Sequence, residues 1–575
     1  MTGFDGIQPV GGEHAITGTL PTIADVVAFK ERTAFFGSGY YRFVPHEFLR
    51  RITSELQTRF RCRHCRLAES QEAALRELLL CLHTPSSPQR LIVLVDTALE
   101  SPVKGVEFFP PWYRQGLSVE LTGAAIERND MLLLVVNASS PILAEAARLA
   151  RAAWERGAFV IVLCPGTSRD VPDIADAHYW IVPLSAGQHG VRGGAVLGSS
   201  DHVMAKLTEQ MKRHGALLSS RDAGCILGVE EPAAAAEGAP ERVAAALARL
   251  ESGTRAFLYA SGMSAVTHVL HALRRPGASQ VISVGHLYSD SVDLLRFAPR
   301  RPGEAQNIFI GVHEVPALER LINDQTAAVI TETITNPLND VPDLPAIARI
   351  TRARGIPLVV DNTLATPLNC TPMTWGADLV IHSTTKFLNG SNDHGGGAVV
   401  VRNAQLEQIL EPGFRQWDSG MSPLEAAVLE EHMKDFPQRM RRFNANAARI
   451  ASLLEGHPGV GRLFFNGVPS HPSFATAQKI LTGPGSVVSF SLANDSMEGL
   501  RAFYDPPLPH ILKAPSLGSD VTLLCPYTLL THYEEPDEAL ESLGLSRYLV
   551  RIAVGSEKDI GPVEESLDAA LRRHR

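Results

Sequence analysis

The sequence predicts an α/β chain, a mostly parallel sheet with helices on both faces, and three observations carry that prediction. Short apolar runs of strand length alternate with helical stretches, which is the pattern of βαβ units. One such pattern occurs twice, 198 residues apart, with GAFVIVL at Gly157 answering GIPLVVD at Gly355. The length of 575 residues exceeds what one hydrophobic core organises, so two to four units are expected.

Taken in order, the strand-like runs are LIVLVD, LLLVVN, FVIVLC, QVISVG, AAVITE, PLVVDN, DLVIHS and GGAVVV. Between them lie AEAARLARAAWERG and LPAIARITRARG, whose apolar residues recur at helical spacing. The Ala/Pro/Glu-rich stretch at 229–245 reads as a linker whose end equally suits a helix start. Beyond about residue 425 the regular alternation gives way to helices with shorter strands, SVVSFSL and YLVRIAV, which suggests a separate C-terminal α/β unit. At the 198-residue offset Ser185 falls on Ser383 without a gap, and RGGAVL meets GGGAVV after a five-residue contraction.

Composition removes several function classes. With 45% hydrophobic and 20% charged residues the chain is globular in type, and no run of about 18 apolar residues is present for a membrane span. The 53 basic and 62 acidic residues give a net charge of −9 without a basic cluster, which argues against nucleic acid. Seven scattered cysteines do not form a disulfide framework. Cys62 and Cys65 are spaced as CxxC around His64, but no second ligand pair lies nearby, so no metal site is expected. The N-terminal stretch has no basic, apolar leader pattern, which makes the cytoplasm the expected compartment.

The repeat matters most for what it fails to preserve. PLVVDN ends at Asp361, and STTK ends 25 residues later at Lys386, where the first copy has Leu163 and Gln188. A carboxylate and a lysine at successive strand ends, with Ser383 and Thr385 just before the lysine, suit pyridoxal phosphate chemistry. The lysine bonds the aldehyde, the carboxylate pairs with the protonated ring nitrogen, and the hydroxyls serve the phosphate.

YASGMSAV, ETITNPLNDVPDL, VVDNTLATP, HSTTKFLNG and KAPSLGSDVTLLCPYTLLTHY follow one another in an order that resembles the Cys/Met-metabolism family of pyridoxal phosphate enzymes. The resemblance covers about 255 to 575, while HAITGTLPTIADVVAF, GYYRFVPHEFL and HGALLSSRDAGCIL are similar to the long N-terminal region of fungal-type cystathionine γ-synthases. It implies a type I pyridoxal phosphate fold: a cofactor domain at 241–425, a C-terminal small domain at 426–575, and a degenerate copy of the large domain at 1–230.

The resemblance also assigns roles. Lys386 is implied as the cofactor lysine and proton shuttle, Asp361 as the ring-nitrogen partner, and the amides of Gly262 and Met263 at a helix start as phosphate donors. It implies that Tyr288 stacks on the ring, that Asn336 contacts the ring hydroxyl, and that Ser516 and Arg551 hold the substrate α-carboxylate. The family's phosphate-clamping Tyr-x-Arg pair is missing before SGM but present as Tyr40 and Arg42, so the first half is expected to lend it. Implied further are a homo-oligomer, small amino-acid substrates, and γ-replacement on an O-activated homoserine by cysteine, giving cystathionine. A lyase or sulfhydrylase of the same family, or a non-catalytic regulator, are the alternatives. Two departures stand out: Val521 occupies a place where relatives carry glutamate, and Tyr288 is followed by Ser289, Asp290 and Ser291 instead of glycines.

Overall fold

The computed structural model describes residues 236–573 apart from 298–304, 418–419 and 534. Before residue 236 it describes seven strands, one helix and a few short pieces. Tyr40, Arg42, Cys62 and Gln188 lie outside the described residues.

The first sheet contains β1 (His64–Ala68), β2 (Gln89–Val95), β3 (Leu117–Leu121), β4 (Met131–Val135), β5 (Phe159–Leu163), β6 (Tyr179–Ala186) and β7 (Val191–Gly198). Between β4 and β5 runs α1 (Leu143–Glu155), which buries Ala146, Ala150 and Ala153. All five residues of β4 are buried, as a central strand covered on both faces requires.

The second sheet follows α2 (Ala239–Leu250), which has Pro240 in its first turn, so the end of the Ala-rich stretch is helical. Its strands are β8 (Arg255–Tyr259), β9 (Gln280–Val284), β10 (Ile308–Ile310), β11 (Thr326–Glu332), β12 (Leu358–Asp361), β13 (Leu379–Ser383) and β14 (Gly397–Val401). Packed with them are α3 (Gly262–Leu273), α4 (Ser289–Arg296), α5 (Leu344–Ala353) and α6 (Pro423–Met433). The chain crosses residue 425 inside α6, whose Ala426 and Leu429 join the core around Ile282, Val360 and Val400.

Both seven-stranded sheets have one topology. The first runs β1-β7-β6-β5-β4-β2-β3, and the second, read from the same side, runs β8-β14-β13-β12-β11-β9-β10. In each, the first strand pairs antiparallel with the last, the last antiparallel with its predecessor, and the other pairs are parallel.

The pairing register corrects the ungapped match. Leu163 pairs with Ile181 as Asp361 pairs with Ile381, and Pro183 faces Gly194 as Ser383 faces Gly397. Pro183, not Ser185, therefore stands in the place of Ser383, because the first unit carries two fewer residues between these strands.

The C-terminal sheet is β15 (Val460–Phe464), β16 (Val487–Leu492), β17 (Leu512–Lys513), β18 (Leu523–Pro526) and β19 (Val550–Ala553), in the order β15-β16-β19-β18-β17. Helices α7 (Phe436–Leu454) and α8 (Gly561–Arg573) complete its core with Ile450, Leu454, Leu567 and Leu571. Ile23, far back in the chain, is buried in this same core, and its amide donates to Asp505 Oδ1 at 2.7 Å.

Candidate active site

The strand ends of the second sheet and the loops of the C-terminal unit converge on Lys386. It lies three residues past β13, and its Nζ donates to Ser516 Oγ at 3.3 Å. Ser516 in turn donates to Asn392 Oδ1 at 3.4 Å. Gly518 adopts φ +73°, and a Cβ there would lie 2.6 Å from the Lys386 carbonyl carbon, so only glycine lets this loop close on the lysine.

Asp361 ends β12, one strand away. Burial pushes its carboxyl above the usual range, opposed by hydrogen bonds from Thr363 and by the nearby His382. The Thr363 amide donates to Asp361 Oδ1 at 2.9 Å, and Thr363 Oγ1 accepts the Ser383 amide at 2.8 Å. One threonine thus ties the Asp361 strand end to the strand that leads to Lys386.

Above this pair sits the start of α3. Ser261 caps the helix by accepting the Ser264 amide at 3.0 Å. Gly262 packs so closely on Ser383 that a Cβ would lie 2.9 Å from the serine Cβ and 3.1 Å from its Oγ. A Cβ on Gly397 would lie 2.2 Å from the Ser261 carbonyl oxygen. The result is a helix start with its positive dipole end beside a serine hydroxyl and no intervening side chain, a shape and polarity that fit a phosphate. Thr385 Oγ1 is engaged with Gly396, accepting its amide at 3.1 Å and donating to its carbonyl at 3.3 Å. Met263 takes a contact at 3.6 Å from Ser291 Oγ, on the helix that Tyr288 caps.

Arg551, on β19, is 4% exposed. Its guanidinium donates to the carbonyls of Pro515 and Ser516 and to Asn336 Oδ1 at 3.3 Å, and lies 5.1 Å over the Tyr527 ring. Asn336 Nδ2 donates to Tyr527 Oη at 3.3 Å, and the Asn336–Pro337 bond is cis. No carboxylate among the described residues pairs with Arg551, and its Nε has no hydrogen-bond partner. A buried cation kept in this state is arranged to receive an anion. Tyr288 lies at the mouth, 44% exposed, with its hydroxyl donating to Asp290 at 3.1 Å.

These donors fit pyridoxal phosphate: a lysine amine, a half-buried carboxylate at a neighbouring strand end and a glycine-cleared helix start. The family pattern for Cys/Met metabolism PLP-dependent enzymes matches residues 238–572. The chain belongs to this family. It is 33% identical to a cystathionine γ-lyase of Bacillus subtilis over 57% of this chain and 87% of that one. It is 32% identical to a cystathionine γ-synthase of Mycobacterium leprae, covering 58% and 84%. The crystal structure of cystathionine γ-synthase from Xanthomonas oryzae pv. oryzae in complex with cystathionine matches with a TM-score of 0.55 at 32% identity, covering 58% of this chain and 86% of that one.

Two groups beside the expected residues escaped the sequence reading. Glu332, the last residue of β11, pairs in register with Asp361 and accepts the Tyr288 amide at 2.6 Å. Glu251, which follows α2, is fully buried and accepts from His382 Nε2 and Asn362 Nδ2, both at 2.7 Å. A charged residue just before a turn, as Glu251 is in LESG, reads as surface in sequence. Only the acidic end of the apolar run AAVITE hinted at Glu332.

Proposed function

We propose that the chain catalyses γ-replacement on an O-activated homoserine, with cysteine as the thiol and cystathionine as the product. The observation that carries an amino-acid substrate is Arg551, a buried guanidinium without a carboxylate partner among the described residues, joined through Ser516 to the amine of Lys386. In this reading Arg551 and Ser516 hold the substrate carboxylate, which sets the α-carbon beside Lys386. Pyridoxal phosphate, when bound, supplies an electron sink for charge developing at the α and β carbons. Lys386 would hold the cofactor through its aldehyde, and its amine, once free, is placed to move protons at the substrate α and β carbons. Asp361 would hold the proton on the ring nitrogen, Asn336 would meet the ring hydroxyl, Tyr288 would cover the ring face, and Gly262, Met263, Ser383 and Thr385 would receive the phosphate.

Support for the synthase direction comes from the similarity to a synthase solved with cystathionine and from the fungal-type N-terminal motifs. Val521 stands where the family resemblance implies a glutamate for the second substrate's amino group, so a thiol other than cysteine is open, and a lyase or sulfhydrylase of the same family is the second reading. Purified protein supplied with O-acylhomoserine and cysteine, and separately with cystathionine, separates them. Net cystathionine formation supports the synthase, and release of a free thiol and an oxo-acid from cystathionine alone overturns it.

The organisation that goes with this reading is an N-terminal copy that has lost the cofactor residues, a large domain and a C-terminal small domain, assembled as a homo-oligomer in the cytoplasm. The shared strand order of the two large sheets supports a common origin. Among the described residues no helix is long and apolar enough to cross a membrane. Lending of Tyr40 and Arg42 by the first unit is tested by Arg42→Ala, which should loosen pyridoxal phosphate; unchanged retention refutes the lending.

A further inference from the structure

We propose that Glu332 is a positioning residue, one buried carboxyl that locks the turn carrying Tyr288 onto the end of β11, beside the strand end carrying Asp361. The inference rests on the cofactor reading above for its consequence, and on geometry alone for the lock itself.

Glu332 closes β11 and is 5% exposed. Its strand neighbour in register is Asp361 on one side. On the other side β11 pairs with β9, which feeds through Gly285 into the turn that ends at Tyr288. The Tyr288 amide is the first donor of α4, and an amide at a helix start has no partner within its own helix. Glu332 Oε1 takes that amide at 2.6 Å, the position a capping side chain would fill, but from another strand 44 residues away.

Tyr288 itself is 44% exposed with its hydroxyl on Asp290, and the bond to Glu332 is a buried anchor on its backbone at the start of α4. The amide of Asn336 also favours the charged form of the carboxyl, which places both turns around this one group. Burial and the adjacent Asp361 outweigh both amides and hold the Glu332 carboxyl well above the usual range. The second Glu332 oxygen, Oε2, is buried with no hydrogen-bond partner among the described residues, so the hold on the Tyr288 turn runs through Oε1 alone. Reach, not charge, is what the position demands.

The test uses the full-length chain and three variants, Glu332→Gln, Glu332→Asp and Glu332→Ala. Glutamine keeps an oxygen at the same reach; aspartate keeps the carboxylate and falls one methylene short. Hydrogen exchange at the Tyr288 amide, measured without cofactor, should stay protected in the Gln variant and quicken roughly tenfold or more in the Asp and Ala variants, as loss of a single hydrogen bond implies. Titration with pyridoxal phosphate should show affinity close to the parent for Gln and roughly tenfold weaker binding for Asp. If Ala fails to fold, the Gln and Asp pair still decides. Protection in the Asp variant equal to the parent, or exposure in the Gln variant equal to Asp, overturns the proposal. A parent chain that binds no pyridoxal phosphate would instead refute the cofactor reading, and the exchange pattern would still report on the lock.

Discussion

Glu251 Oε1 lies 2.7 Å from His382 Nε2, and both side chains are fully buried. The same oxygen takes Asn362 Nδ2 at 2.7 Å, while His382 Nδ1 and Glu251 Oε2 have no hydrogen-bond partner among the described residues. One carboxylate oxygen beneath the site thus holds the residue after Asp361 and the residue before Ser383. Asn362 Oδ1 also accepts from Thr333 Oγ1 at 2.8 Å, which draws in the strand that ends at Glu332.

Removing that carboxylate should therefore loosen the floor of the site before it touches any reacting group. Glu251→Leu strands two buried donors and should cost about 2–5 kcal/mol in denaturant unfolding, while Glu251→Gln, whose oxygen still accepts, should cost about half as much. Equal stability of the Leu variant and the parent would show that the network contributes nothing.

Gly262 and Gly397 make a second prediction, because both allow backbone to approach where a methyl group cannot fit. Gly397→Ala meets a carbonyl 2.2 Å away and should lose about 2–3 kcal/mol of stability. Gly262→Ala meets the Ser383 Cβ at 2.9 Å and its Cα at 3.1 Å, atoms held by the β13 backbone, so it should lose stability and also weaken cofactor retention. Dialysis followed by absorbance of the remaining bound cofactor measures this.

Two substitutions separate cofactor attachment from substrate binding. Lys386→Ala should abolish the yellow absorbance of lysine-linked cofactor and nearly all turnover while the fold survives. Arg551→Ala should raise KM for every amino-acid substrate by roughly thirtyfold, on the order of 2 kcal/mol for a buried charge contact. An effect confined to one substrate would contradict a general carboxylate role.

The Glu332 carboxyl gives a pH prediction whose sign is fixed by its upward shift. A folded-state value above the unfolded one stabilises the protein at low pH, and that stabilisation fades as pH climbs from the usual carboxylate range through the raised value. Glu332→Gln cannot deprotonate, so the stability difference between it and the parent should move in favour of the variant as pH rises. A pH-independent difference would show that Glu332 titrates normally.

Thiol reactivity offers a last check on burial. Cys370 is buried, and its thiol is pushed up to about 12, chiefly by burial with Glu251 adding to the effect. Cys525 is buried and raised as well, with Arg551 opposing. Neither should react with a thiol reagent at pH 8 in the native protein, and both should react after denaturation.

The sheet around Asp361 and Lys386 could be read from sequence because each sits at the end of a compact apolar run with its hydroxyl neighbours close by in the chain. Glu251 could not, since its partners lie 111 and 131 residues away and nothing local marks a buried carboxylate. Glu332 was hidden for another reason: its partner is a backbone amide, which every residue except proline carries. The two-residue slip between the two large sheets was invisible because YWIVPLSA lacks the alternation that fixes register in a half-exposed strand. Arg551 was legible through its cost alone, a cation in an otherwise apolar strand.

In each large sheet the strand made first pairs with the strand made last, β1 with β7 and β8 with β14. During synthesis β8 must therefore wait, with one edge open, until residues 397–401 leave the ribosome, and Lys386 emerges before that edge is closed. A chain halted just short of β14 would hold Asp361 and Lys386 and still leave Gly262 without the strand it rests on. Cofactor capture should thus come as a late, all-or-none event in the birth of the protein, and nascent chains arrested before residue 397 should remain colourless when pyridoxal phosphate is supplied.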